Sequence, residues 1–267
     1  GQPVTFTATV TSAYGSIPDG ELVTFYDSNT EIGAGNTKAG AAAMTTSSLT
    51  SGTHEIIATY AGDSSFATST SRDFRQTISQ ATTTTLLTSS ANPATYGLPI
   101  TFSVTVTSTG STPTGTVTFK NGAAVLGVAT LNPQGAATLT TLNLGAGAYS
   151  ITAAYSGDPS SAKSTSATLN QIVNQAATTT QIVSSVNPSA LGESVTFTAI
   201  VRSATTFATG SVTFSAGSGS LGTATLVNGT AKLAVATLPA GAATVTATFA
   251  ATANVAGSSG SMVQNVE

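Results

Sequence analysis

The sequence predicts an all-β chain of three tandem two-layer sandwiches laid end to end as an extended rod. Three observations carry that prediction. The stretch YAGDSSFATSTS (residues 60–71) returns 95 residues later as YSGDPSSAKSTS (155–166), and a third copy, FAATANVAGSSG, begins at residue 249. Apolar and polar residues alternate at period two inside every copy, the mark of a half-buried strand. Helical periodicity of useful length occurs nowhere. Length alone suggests two domains for 267 residues, but a repeat of this period overrides it and gives three: 1–78, 79–174 and 175–267.

The first strand is clearest in VTFTATVTS (4–12), ITFSVTVTS (100–108) and VTFTAIVRS (195–203). In copy one Val4, Phe6, Ala8 and Val10 share one face while Thr5, Thr7 and Thr9 share the other. A turn at Asp19-Gly20, Thr114-Gly115 or Thr209-Gly210 then leads into a second strand anchored by Phe25, Phe119 or Phe214. A polar or Gly-rich connecting stretch follows, then a strand in AAAMTTSSL or GAATLTTLNL, then a turn at Gly52, Gly147 or Gly241. The next strand points Ile56, Ala58 and Tyr60 inward, matched by Ile151, Ala153, Tyr155 and by Val245, Ala247, Phe249. After the Gly-Asp the chain reverses into a last strand ending DFRQTI, TLNQIV or SMVQNV.

Copies two and three also open with a leading strand, TTTTLLTSSANP from residue 82 and ATTTQIVSSVNP from residue 177. Pro93 and Pro188 lack the donor a ladder needs, which suits an edge strand that changes sheet there. About seven short strands per copy, with turn signals every 8 to 12 residues, is the pattern of an Ig-like sandwich. Copy one lacks the leading strand, because Gly1 corresponds to Gly97 and Gly192. The expectation is a piece of a longer, exported protein, with a strand supplied by another chain as the alternative. The linkers, Ser79-Gln80 and Asn174-Gln175, leave little room for free rotation. Three sandwiches of roughly 40 Å each then give a rod of roughly 120 Å, taking ~3.3 Å per strand residue.

Composition narrows the function. The chain carries 10 acids and 7 bases, a net charge of −3, and 87 Ser or Thr residues, so hydroxyls rather than charges keep it in water. Domain 1 holds most of the acids and carries −4, against +1 and 0 for the other two, an asymmetry expected to orient head-to-tail contacts. No basic cluster is available to neutralise phosphates, which argues against nucleic acid. Cysteine is absent, removing disulfides and thiolate metal sites. No run of 18 apolar residues would span a membrane in this fragment.

The residues VTFTATV, GTVTFKNG with VLG, AGAYSITAAYSGD and STS resemble the tandem bacterial Ig-like domains of group 3, found in large secreted or cell-surface proteins. The resemblance covers all three copies. It implies modules that act as stalks, spacers and adhesin segments without a shared catalytic site. Copy three departs from it with Ala251-Thr252 in place of Gly-Asp.

The remaining candidates for chemistry read as structural. Asp63 and Asp158 recur, but calcium needs 6 to 8 oxygens, and Asp158 is the single acid between residues 79 and 174. They are expected to cap a turn. Tyr60 and Tyr155 could supply a corner hydroxyl, yet Phe249 stands at their place, so the ring itself is the expected contribution. His54, the sole histidine, corresponds to Tyr149 and Ala243 and is read as a strand residue near the rim. Lys38, Lys120, Lys163 and Lys232 share no repeat position, which speaks against an internal isopeptide link. The outward rows of Thr101, Thr105 and Thr107 suit a strand in their own right. Tyr14, Tyr26, Tyr96 and Phe207 do not recur as a sugar platform.

The prediction is a non-catalytic extracellular spacer of a bacterial surface or secreted protein, with no catalytic, metal or cofactor site. A self-assembling or adhesive module using Thr-rich faces or an open sheet edge is the alternative. Expected partners are the neighbouring domains of the chain, other copies of it, or a surface glycan.

Overall fold

The computed structural model describes residues 2–267 and contains no helix among them. Domain 1 consists of β1 (Val4–Thr9), β2 (Leu22–Asp27), β3 (Thr30–Asn36), β4 (Ala41–Thr46), β5 (Gly52–Tyr60), β6 (Ser69–Thr70) and β7 (Phe74–Ile78). Domain 2 follows as β8 (Thr83–Ser89), β9 (Ala94–Thr95), β10 (Ile100–Ser108), β11 (Thr116–Asn121), β12 (Ala124–Thr130), β13 (Ala136–Thr141), β14 (Gly147–Tyr155), β15 (Ser164–Thr165) and β16 (Leu169–Asn174). Domain 3 contains β17 (Thr178–Ser184), β18 (Val195–Ser203), β19 (Ser211–Ala216), β20 (Gly219–Thr225), β21 (Thr230–Val235), β22 (Gly241–Phe249) and β23 (Ser258–Val266).

Each domain is two sheets around its own core. In domain 2 one sheet runs β13-β10-β8 and the other β12-β11-β14-β16-β9; in domain 3 the order is β17-β18-β21 against β20-β19-β22-β23. Domain 1 pairs only β1 with β4 in the first sheet, facing β3-β2-β5 with β6 and β7 on the far edge of β5. The alternating faces meet between the sheets as expected. Phe25, Phe119 and Phe214 are at most 2% exposed, and Phe102 and Phe197 are fully buried on the facing sheets. Three separate apolar clusters result, one per domain.

The stretch expected to connect the second and third strands is itself a strand in all three copies: β3, β12 and β20. Its half-exposed edge position removes the two-period signal, since only one or two of its side chains touch the core. A β-bulge lies where Phe25, Phe119 and Phe214 pair with Gly33, Gly127 and Gly222. A Cβ there would sit 2.9 Å from Met44, 2.7 Å from Leu139 and 3.2 Å from Leu233. Glycine thus gives the core residue of the neighbouring strand room to lie across the backbone.

The leading segment changes sheet at the proline. β8 pairs antiparallel with β10; then, past the cis Asn92-Pro93 bond, β9 pairs in parallel with β16, Ala94 opposite Val173. Domain 3 repeats this with β17 on β18 and a parallel bridge from Ser189 to Val266. The last strand is interrupted in domains 1 and 2 and continuous in domain 3. In the interrupted copies Ser71 and Ser166 hydroxyls accept the Ala58 and Ala153 N–H at 2.9 and 3.0 Å, replacing a ladder acceptor lost to one extra residue.

Candidate functional site: the domain junctions

The Gly-Asp turn lies where one domain meets the next. Asp63 Oδ1 accepts the N–H of Ser65 and Phe66 at 2.6 and 2.7 Å. Asp158 Oδ1 accepts those of Ser160 and Ser161 at 2.8 and 2.6 Å, while its Oδ2 takes the Thr114 N–H and hydroxyl. Burial by itself would raise the Asp158 carboxyl. The donors from Thr114, Ser160 and Ser161 outweigh it and hold the group at about 2. In domain 3 the Thr252 hydroxyl accepts the Val255 N–H at 3.2 Å, so the turn survives the loss of the acid.

This turn receives both the linker and the preceding domain at each joint. At the first, Gln80 Nε2 donates to Asp158 O at 2.8 Å, and Ala81 exchanges backbone hydrogen bonds with Ser160 and Ala162 at 2.8 and 2.9 Å. At the second, Gln175 Nε2 donates to Thr252 O at 2.7 Å, and Ala176 pairs with Asn254 and Ala256 at 2.9 Å each. The loop between the fourth-strand and fifth-strand positions of the previous domain reaches the same turn. Ser51 Oγ donates to Pro159 O, and Ala146 N–H donates to Asn254 Oδ1 at 2.8 Å. Gly97 adds a second touch at the later joint, where a Cβ would meet Thr205 O at 2.5 Å.

His54 and Tyr149 both anchor that loop. The Tyr149 hydroxyl donates to Gly145 O at 2.9 Å, and His54 Nε2 lies 2.8 Å from Thr50 O, the same position in its repeat. His54 Nδ1 is also 2.7 Å from Asp27 Oδ2, with the imidazole 12% exposed. The Asp27 hydrogen bond, then that to Thr50, raises the histidine above its ordinary 6.5 despite some desolvation. Both ring nitrogens are committed, one to a carboxylate and one to a carbonyl, so neither serves as a base toward a nucleophile. The Asp27 partner was missed in the sequence, where it lies 27 residues away.

The other candidates are scattered. Among the described residues no three His, Asp or Glu side chains come together as metal ligands. Tyr155 is 2% exposed and donates to Thr114 O at 2.7 Å, burial foremost pushing its hydroxyl up to about 12. Tyr60 is equally buried but its hydroxyl has no partner. Lys38, Lys163 and Lys232 are exposed and Lys120 half-buried. The threonine rows satisfy one another across strands: Thr5 with Thr45, and Thr101 with Thr140, each at 2.8 Å. Tyr14 and Phe207 are exposed on the equivalent loops of domains 1 and 3, whereas Tyr26 and Tyr96 are half-buried elsewhere.

The family model described as bacterial Ig-like domain (group 3) matches residues 1–79, 87–174 and 182–267. No curated protein sequence matches the chain. Among solved structures, the Escherichia coli adhesin FdeC is 15% identical over 99% of this chain and 92% of that one, with a TM-score of 0.34. The Yersinia pseudotuberculosis adhesin InvE is 17% identical over 68% and 59%, TM-score 0.35. Fibronectin(III)-like modules of Clostridium thermocellum CbhA are 18% identical over 68% and 94%, TM-score 0.31.

Proposed function

The chain belongs to the bacterial Ig-like domain (group 3) family, and on that premise we propose that it is a non-catalytic spacer, extracellular or on the cell surface, that holds other parts of its protein at a distance. The observation that carries this reading is the repeated joint. Two-residue linkers restrict rotation but do not by themselves fix how one domain meets the next. Here Gln80 and Gln175 of the linkers, with Ala81 and Ala176 just after them, are held on the turn of the domain they enter, and the loops at Ser51 and Ala146 fasten the preceding domain onto that same turn. A stalk needs that property in every copy, and needs no polar cluster that recurs with it.

Small-angle scattering across a concentration series tests the reading. A monomer with a maximum dimension near ~120 Å, as the strand lengths imply, supports the spacer. A mass that grows with concentration overturns it in favour of the second reading, a self-assembling module. That reading is favoured by the threonine-bearing face of β10, where Thr105 and Thr107 stand exposed.

A further inference from the structure

We propose that the first joint, unlike the second, is a proton-controlled latch: the His54 imidazolium holds the loop at Thr50 and Ser51 on the turn of domain 2, and loss of one proton releases it. The chain then has one joint whose stiffness follows pH and one whose stiffness does not.

The bonding around the ring selects the protonated form. Asp27 Oδ2, 2.7 Å from Nδ1, and Thr50 O, 2.8 Å from Nε2, are both acceptors. A neutral imidazole has a single N–H and satisfies one of them, whereas the imidazolium satisfies both. When the proton leaves, the remaining N–H stays with the carboxylate, the stronger, charge-assisted partner. Nε2 then turns a lone pair toward the Thr50 carbonyl oxygen, and the contact that held the loop repels it.

The surroundings leave Asp27 as the one charged group bonded to the ring. β1 and β4 of the facing sheet carry no ionisable side chain, and β7 sets Gln76 opposite His54. Glu55, next along β5, alternates to the other face and lies 3.9 Å from Arg75 of β7. Tyr26 and Glu31 pair with each other across β2 and β3. The bonds to Asp27 and Thr50 raise the histidine above 6.5. The latch is therefore fully closed below that value and opens as pH rises through the raised one.

What His54 holds is the part of domain 1 that reaches domain 2. Ser51 Oγ donates to Pro159 O, and Leu49 and Ser51 line one cleft together with Thr109, Gly110 and Ser160 of the next domain. The second joint uses the same loop with different chemistry. There the Tyr149 hydroxyl donates to Gly145 O at 2.9 Å, and Ala146 N–H reaches Asn254 Oδ1 at 2.8 Å. One donor meets one acceptor, so that arrangement needs no added proton.

The chain contains no cysteine, so paired spin labels can be placed at will. Thr7→Cys with Thr105→Cys reports the first joint, and Thr105→Cys with Ala234→Cys the second, all at exposed strand positions. Distance distributions are recorded from about pH 5 to about pH 9, either side of the ordinary histidine value. The first pair is expected to be narrow at the acid end and to broaden with the midpoint of the His54 ring resonances, while the second stays constant. His54→Tyr, which installs the sister arrangement, should keep the first pair narrow throughout. Ser51→Ala should broaden it already at the acid end and leave the His54 midpoint in place, separating the latch from the titration. A first-pair width that ignores pH, a change shared equally by both pairs, or a pH response that survives His54→Tyr would overturn the proposal. So would a Ser51→Ala chain as narrow at the acid end as the parent, because the loop would then not be what fastens the joint.

Discussion

Tyr60 and Tyr155 stand at one position of the repeat, yet only one hydroxyl is used. A buried hydroxyl without a partner carries its desolvation penalty uncompensated, whereas a satisfied one contributes about 1 kcal/mol. Tyr155→Phe is therefore expected to destabilise domain 2 by about 1 kcal/mol, while Tyr60→Phe raises the stability of domain 1. Hydrogen exchange resolved by domain separates the two effects; a loss in domain 1 would contradict the assignment. His54 adds a pH response that its counterparts lack. Its folded-state pKa lies above 6.5, so the stabilisation is complete below that value and disappears as pH rises through the raised one. Exchange protection of the loop at Thr50 should fall across that interval. His54→Tyr, which installs the Tyr149 arrangement, should abolish the dependence.

Among the strands, legibility in the sequence followed the side chains. The rows Phe102, Val104, Val106 and Phe197, Ala199, Val201 were readable because each alternates with polar residues and each is buried by the opposite sheet. β3, β12 and β20 were not, because an edge strand with small half-exposed residues displays no such row. The His54–Asp27 pair depends on the register of β5 against β2, which places Ile56 opposite Asp27 and which composition does not encode. The Asp turn was legible, since Gly-Asp is turn chemistry in its own right, but its second use as the socket for the previous domain was not. Close backbone approach is another property hidden from pattern. A Cβ on Gly260 would meet Thr180 O at 2.2 Å, where β17 crosses β23. Gly260→Ala is expected to cost domain 3 about 1–3 kcal/mol by overpacking, measured as a lowered unfolding midpoint for that domain.

The molecule as a whole repeats its joints more faithfully than its residues. Gln80 and Gln175 keep the same bond although the turn they address reads Gly-Asp in one domain and Ala-Thr in the next. Asn254 belongs to the second joint alone, taking the Ala146 N–H across domains. Asn254→Ala should leave the unfolding of domain 3 nearly unchanged and broaden the scattering profile through motion at that joint. A profile identical to the parent would show that the linker contacts suffice.

The parallel pairing of Ala94 with Val173, and of Ser189 with Val266, also decides how the chain answers a pull on its two ends. In each of these domains the incoming and outgoing segments run side by side in one direction, so tension slides them past each other. Bonds such as Tyr96 N–H to Asn174 O, and Glu267 N–H to Ser189 O, then lie across the line of force and must break together rather than one after another. Each of these two domains therefore resists a pull on its ends as a unit, holding its full length until the whole set of bonds gives way.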